Sequence, residues 1–203
     1  DYAWRYLQHY DHAGPKLAVF DPRSEEHGWT SRHTAVLVLT EGIPFVSESL
    51  RLELNRRNIV IHVLLSSDLT VERDTNHRLQ RMLPATVTAD GVCRRREALV
   101  YMEISRVGDP VARAELVGVL AGVVAEVACV VGDFPAMRES ALELIERLPG
   151  CSTGVAEEQW QENRALLQWL LAHNFTFLGH EVLDVTWGEA GPRVEVRAGS
   201  ALG

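Results

Sequence analysis

The side chains able to do chemistry in this chain are histidines, carboxylates and one lysine. His9 and His12 lie three apart, on one side of a possible helix. Zinc would need one or two further ligands beside them. Asp11 points elsewhere on a helix, so a solvated pair and no metal site are expected. His62 lies inside an apolar strand, where a hydrogen-bonded core or interface histidine is expected rather than an acid–base or switch role. Glu41, Glu48 and Glu53 flank one turn and its helix. Paired carboxylates can exchange protons with a substrate, but Glu48 and Glu53 are five apart and share a face poorly. They read as a solvated helix face. Cys93, Cys129 and Cys151 are odd in number and lack metal spacing, so a disulfide framework is not expected. Cys129 reads as a core thiol, and a reducing cytoplasm fits. Lys16 is the sole lysine, and any lysine chemistry must use it. No phosphate loop, dinucleotide fingerprint or nucleophile elbow is present. No catalytic residue and no cofactor site are assigned.

One corner remains as a candidate binding site. The strand-like run that ends at Thr40 meets Glu41-Gly42-Ile43-Pro44-Phe45, and a helix starts at once. A strand feeding a helix start presents free backbone N–H groups, which suit a carboxylate or a carboxylated amino acid. The alternative is a fold corner. The helix ends at Asn55-Arg56-Arg57, as its dipole favours, although those arginines could also hold a carboxylate.

The flanking pattern supplies the elements that position this corner. Residues 2–12 predict a short helix, and Lys16–Phe20 a strand closed by Asp21-Pro22. Arg23–Gly28 reads as a polar loop. Ser31–Thr40 is a β-branched strand, and Pro44 fits the first turn of the following helix. Ile59–Leu65 predicts a buried strand, residues 66–78 a hairpin excursion or an extension of it, and Leu79–Thr88 another strand before the turn Asp90-Gly91. Glu97–Ser105 alternates as a strand. Asp109-Pro110 starts a helix that runs to about Val131, where Gly132-Asp133 breaks it. Phe134–Leu148 predicts a further helix, Pro149–Gly154 a linker, Val155–Asn174 an amphipathic helix, and 175–185 with 192–197 a hairpin. This order argues for an α+β fold, a ferredoxin-like antiparallel sheet with helices packed on one face. Residues 1–150 form one domain. Residues 151–203 form a helix plus β-hairpin, either a linker or the start of the next unit.

The 203 residues carry a formal net charge of −8, which argues against a nucleic-acid or anionic-membrane partner. No signal peptide opens the chain, and both ends read as those of a piece of something longer. The apolar stretch Leu116–Val131 contains Glu126 and reads as too short to span a bilayer. It is apolar on too many sides for a solvated helix. Gly118, Gly122, Val123 and Val130 are therefore candidates for close packing at an interface.

Gly28-Trp29-Thr-Ser-Arg-His-Thr34, Ile43-Pro-Phe-Val-Ser-Glu-Ser-Leu50 and Glu53-Leu-Asn-Arg-Arg57 with Ile61-His62 resemble the N-terminal region of the large bacterial NAD-specific glutamate dehydrogenases. Glu97–Ile104, Asp133–Met137, Asn174–His180 and Gly199–Gly203 extend the likeness in the same order. The resemblance implies an ACT-like regulatory unit without the NAD-binding catalytic part, and hence no dehydrogenase activity and no cofactor in this stretch. It implies NAD in the parent, other domains of the same polypeptide and a homo-oligomer as partners, and an amino-acid effector at Glu41, Gly42, Ile43, Pro44, Phe45 and Ser47. ACT units that bind amino acids commonly carry Gly where this chain has Phe45, and Asp where it has Glu48. If Phe45 turns inward the pocket is closed; if it points out, a ligand can sit on the helix N-terminus.

Overall fold

The computed structural model describes residues 2–84, 94–147, 156–189 and 191–203. The expected turn at Asp90-Gly91, the end of the Leu79–Thr88 strand, the Pro149–Gly154 linker, Cys93 and Cys151 lie outside the described residues. The chain divides into two compact units, Asp1–Ala128 and Cys129–Gly203.

The first unit is built on a five-stranded antiparallel sheet. Its elements are α1 (Tyr2–Leu7), β1 (Lys16–Phe20), α2 (Ser24–His27), β2 (Thr34–Glu41), α3 (Val46–Arg56), β3 (Ile61–Arg73), β4 (Leu79–Leu83), β5 (Arg94–Ile104) and the start of α4 (Pro110–Arg147). The strand order is β1-β2-β5-β3-β4, every neighbour antiparallel. β2 and β3 flank β5 and are joined through α3, which is the split βαβ arrangement expected of a ferredoxin-like unit. No described strand after α4 joins this sheet. The edge beside β2 is taken instead by β1, which precedes it in the chain.

Period-2 alternation sorts the sheet residues onto two faces. Val36 and Val38 of β2 and Val100, Met102 and Ile104 of β5 meet Val46, Leu50 and Leu54 of α3 and Leu116, Leu120 and Val124 of α4. The α3 and α4 residues recur every four positions, the spacing of one helix stripe. The opposite face is covered at one end by α1: Tyr6, Leu7 and Tyr10 pack on Leu37 and Leu39. Lys16 closes α1 by donating from Nζ to the carbonyls of Tyr6 and His9 at 2.6 and 2.8 Å, the place where a helix favours a cation. The one lysine is thus a helix stop.

Several expectations are corrected. Arg23–Gly28 contains a helical turn, α2, whose C-cap Gly28 takes the left-handed φ of 87°. The Ile59–Leu65 run is not buried: β3 starts at Ile61, and Val60, Val63 and Leu65 are exposed. β4 pairs with β3 only from Thr70 to Arg73, which leaves the Ile61–Leu69 edge of β3 unpaired among the described residues. Residues 66–73 do extend the strand. Gly132-Asp133 does not break α4, because Gly132 keeps a negative φ; one helix of 38 residues runs through it and through Pro135. That length and composition would suffice to cross a bilayer, contrary to the reading from Leu116–Val131 alone. A single such helix is weak evidence for a membrane, since the core helix of a soluble domain passes the same test, and Leu116, Leu120 and Val124 are in the sheet core.

The second unit holds the rest of α4, α5 (Glu157–Trp169), a wider π-type turn at Leu170–Asn174, and a hairpin of β6 (Leu183–Gly188) and β7 (Gly191–Val196). Met137, Ile145 and Leu171 are its buried apolar residues, and Arg138 donates to the Leu171 carbonyl at 3.3 Å. Phe175–Val182 is not strand, so the hairpin is shorter than expected on that side. Leu183, Val185 and Trp187 pair with Val196, Val194 and Pro192. One face of the hairpin is therefore wholly apolar, and its residues are exposed. Cys129 is exposed rather than a core thiol.

Candidate functional site

The strand–helix corner is the site the sequence points to. β2 runs on past Glu41 because the Gly42 N–H donates to the Arg96 carbonyl at 2.8 Å. A Cβ on Gly42 would sit 2.9 Å from the Arg96 Cβ and 3.1 Å from its carbonyl carbon. Only glycine lets the chain pass so close to β5. The Ile43 N–H then donates to the Glu41 carbonyl at 2.8 Å, a tight three-residue turn. Ile43 packs against the core and Val46 is buried, which pins both ends of the corner.

Phe45 is the N-cap of α3, with φ 70° and ψ 1°. A side chain in this left-handed region costs about 1–2 kcal/mol, which glycine avoids. Phe45 thus holds a backbone conformation that glycine adopts without strain. Pro44 consequently lies ahead of the N-cap, not in the first helical turn. The Phe45 side chain points out and is 56% exposed, so it does not fill the space at the helix start. No side chain caps α3: Ser47 Oγ donates to Glu48 Oε2 at 3.0 Å instead. The first-turn N–H groups and their dipole remain suited to a carboxylate.

At the other end of α3, Glu53 accepts from Arg56 at 2.8 and 2.9 Å and from Arg57 at 2.6 Å. These bonds pull its carboxyl down to about 2. Both arginines are engaged with Glu53 of α3. Glu41, Glu48 and Glu53 are not brought together. His62 sits exposed at the bulge in β3, its ring stacked 3.9 Å from that of His33. It is not a core histidine, because this part of β3 is uncovered.

The four proposed interface residues do not act as one group. Val123 is half-buried against the sheet core, and Val130 belongs to the second unit. Gly118 and Gly122 are exposed, two positions on from the core stripe and so roughly 200° around the helix. A Cβ on either would meet nothing within 4 Å. No close approach among the described residues explains them.

Sequence reasoning missed a buried polar cluster on the α1 side of the sheet. Arg73 makes a bidentate pair with Glu97, Nε to Oε1 at 2.6 Å and Nη2 to Oε2 at 2.7 Å. Arg73 also donates to the carbonyls of Leu7 and His77 at 3.0 and 3.1 Å. His12 Nε2 lies 3.0 Å from Glu97 Oε1. Burial, helped by the Arg95 and Arg73 charges, holds the His12 imidazole below its ordinary value of 6.5 against the charge and hydrogen bond of Glu97, which would raise it. Burial likewise pushes the Tyr10 phenol up to about 12. Residues 12, 73 and 97 are too far apart in sequence to signal one another. The one local sign was a glutamate at the head of the apolar β5. Among the described residues no group of three metal-binding side chains converges.

Residues 2–120 match the family described as glutamate dehydrogenase, ACT1 domain. The chain belongs to that family. ACT1 residues 2–120 lie within the first unit and contain the strand–helix corner and the buried cluster. The chain is also 38% identical over 201 residues to an NAD-specific glutamate dehydrogenase of Halomonas elongata and to another of Pseudomonas aeruginosa. These alignments cover 98% and 99% of this chain but 12% of each relative. The ACT1 chain therefore spans about an eighth of the length of the curated relatives it matches.

Proposed function

We propose that this chain is the N-terminal regulatory and assembly portion of an NAD-dependent glutamate dehydrogenase. The parent would convert L-glutamate, NAD and water to 2-oxoglutarate, ammonium and NADH, with NAD bound by parts outside these residues. The observation that carries this reading is the likeness over nearly the whole chain to a small fraction of two NAD-specific glutamate dehydrogenases. Residues 1–150 act as the ACT-like domain and 151–203 lead into the next part of the polypeptide. The parent works in the cytoplasm as a homo-oligomer. The apolar hairpin face, exposed Gly118 and Gly122, and the unpaired Ile61–Leu69 edge supply contact surface for other domains or subunits. The test compares the parent with a version lacking residues 1–203. The fragment alone should form no NADH from glutamate, and the truncation should change the parent's oligomeric state by light scattering or its response to effectors. Turnover by the fragment, or a truncated parent unaltered in assembly and kinetics, would sink the reading.

A second reading is favoured by the outward Phe45: an amino-acid effector sits with its carboxylate on the α3 N-terminus, held by residues 41–48. A ligand that binds only the folded chain raises its stability by about 2.7 kcal/mol at a hundredfold excess over Kd. A saturable thermal shift with one amino acid, lost on changing Ser47, supports this reading. Flat melting curves at millimolar ligand remove it.

A further inference from the structure

A groove of about 520 Å³ runs between the C-terminal half of α3 and the start of β3, at the other end of α3 from the strand–helix corner. Arg51 and Asn55 line it from the helix, Asn58 from the connection, and residues 61–64 from the strand. The helix end is closed by its own backbone. Asn58 takes a left-handed φ of 58°, its N–H donates to the Asn55 carbonyl at 2.9 Å, and the Ile59 N–H donates to the Leu54 carbonyl at 3.0 Å. Arg51 is exposed and makes no hydrogen bond or ion pair among the described residues. No carboxylate is among the described residues that line the groove. The acids of α3 are held elsewhere, Glu48 by Ser47 and Glu53 by Arg56 and Arg57. Asp68 lies at the far end of the β3 edge. The groove therefore holds one uncompensated cation.

The strand side of the groove is a free hydrogen-bonding edge. β4 pairs with β3 only from Thr70 onward, so the backbone groups of residues 61–69 that face away from β5 have no partner among the described residues. Exposed edges are commonly guarded by lysine or proline, and residues 61–69 contain neither. Leu64 packs against the helix-side core. Period-2 alternation then puts Val63 and Leu65 on the opposite face, where they are 37% and 60% exposed. A strand added here would alternate in the same way. One set of its side chains would pass Arg51, and the other set would lie on Val63 and Leu65.

A second copy of this chain fits the edge poorly. A two-fold axis at Val63 or Leu64 sets Arg51 beside its own counterpart, like charge against like. An axis at Leu65 or Ser66 sets an apolar residue, Val63 or Leu65, opposite Ser67. An acidic strand meets neither mismatch.

We propose that a partner protein adds an extended strand to the 61–65 edge of β3, with acidic side chains over α3 at Arg51 and apolar side chains on Val63 and Leu65. Main-chain hydrogen bonds supply the attachment and the alternate side chains supply the selectivity. This rests on the reading of the edge as contact surface and is independent of the effector reading of the corner.

The test titrates the 203-residue chain, by fluorescence anisotropy, with a labelled hexapeptide of alternating valine and glutamate and with its valine–lysine counterpart. The glutamate peptide should bind saturably and at least about tenfold more tightly than the lysine peptide. The chain's net charge of −8 favours the lysine peptide in general, so the opposite preference is specific to the groove. Arg51→Glu, a change at an exposed position, should reverse the preference. Backbone amides between residues 61 and 65 should exchange more slowly with the glutamate peptide bound, which attraction to surface charge alone does not produce. Four results would each overturn the proposal: no saturable binding of the glutamate peptide; an unchanged preference in Arg51→Glu; edge amides that do not slow; or a chain that is already a dimer by light scattering with these amides protected, which places a second copy on the edge. Deleting residues 1–203 from the parent reads assembly, whereas this titration reads the edge, so either reading can fail alone.

Discussion

The two faces of the five-stranded sheet are built on different principles. The face under α3 and α4 is dry and apolar, Val36, Val38, Val100, Met102 and Ile104 against leucine and valine stripes. The α1 face mixes Leu37, Leu39 and Tyr10 with a buried arginine–glutamate pair and a neutral histidine, then runs out into exposed Val63 and Leu65. Apolar packing suffices to hold the fold. Buried charge costs desolvation that a hydrocarbon core avoids, so the α1 face spends stability on a defined polar geometry. The contrast separates a surface held by apolar packing from one held by a defined polar geometry.

The sharpest way to break this comparison is to remove one partner of the buried pair. Arg73→Met leaves the Glu97 carboxylate buried without its cation and leaves the Leu7 and His77 carbonyls unpaired. It should cost about 3–5 kcal/mol in denaturant unfolding. Replacing both Arg73 and Glu97 by apolar residues should restore most of that. If the single change costs under about 1 kcal/mol, the pair is not the organising feature of this face.

On the helix-covered face the expected loss is a cavity rather than an orphan charge. Leu54 is fully buried between α3 and the sheet. Leu54→Ala should cost about 2–5 kcal/mol with no change in pH dependence, read from melting curves at two pH values.

The α1 face should respond to mild acid through His12. His12 has its ordinary value of 6.5 in the unfolded chain and a lower one when folded. The unfolded state therefore takes up the proton first. Stability from the neutral ring is complete above about pH 6.5 and declines as pH falls through that value. Depressed carboxylates such as Glu53 add to the loss only below about pH 4–5. The melting temperature should fall between about pH 7 and 5, and His12→Gln should flatten that slope.

The smallest effect sharpens the role of α4. Gly118 faces open space. Gly118→Ala should stabilise the isolated chain by up to about 1 kcal/mol through helix propensity. If the same change weakens the assembled parent, Gly118 is there for close approach by another chain or domain. If it strengthens both, the glycine has no packing partner.

Much of the fold was legible because its signals are local. Thr34–Glu41 and Arg94–Ile104 alternate with β-branched residues, and α3 and α4 carry apolar stripes, so element type and the α+β class follow from pattern. The candidate corner was legible too, from Gly42 and Pro44 between a strand and a helix. What failed was where locality misleads. Ile59–Leu65 looked buried from its composition, yet burial depends on what covers a strand, and β4 reaches only its far end. Gly132 looked like a stop, yet it does not take the left-handed turn that often ends a helix, and α4 continues through it.

By itself the sequence determined the elements, the corner and, through ordered motifs, the family. Tertiary structure alone decided that β1 closes the sheet edge, that Phe45 points outward from a glycine-like backbone, and that His12, Arg73 and Glu97 meet. The physical reason is separation. Helix and strand patterns are set by neighbours a few residues apart, whereas a buried charge pair and the histidine beside it meet only once distant segments have excluded water together.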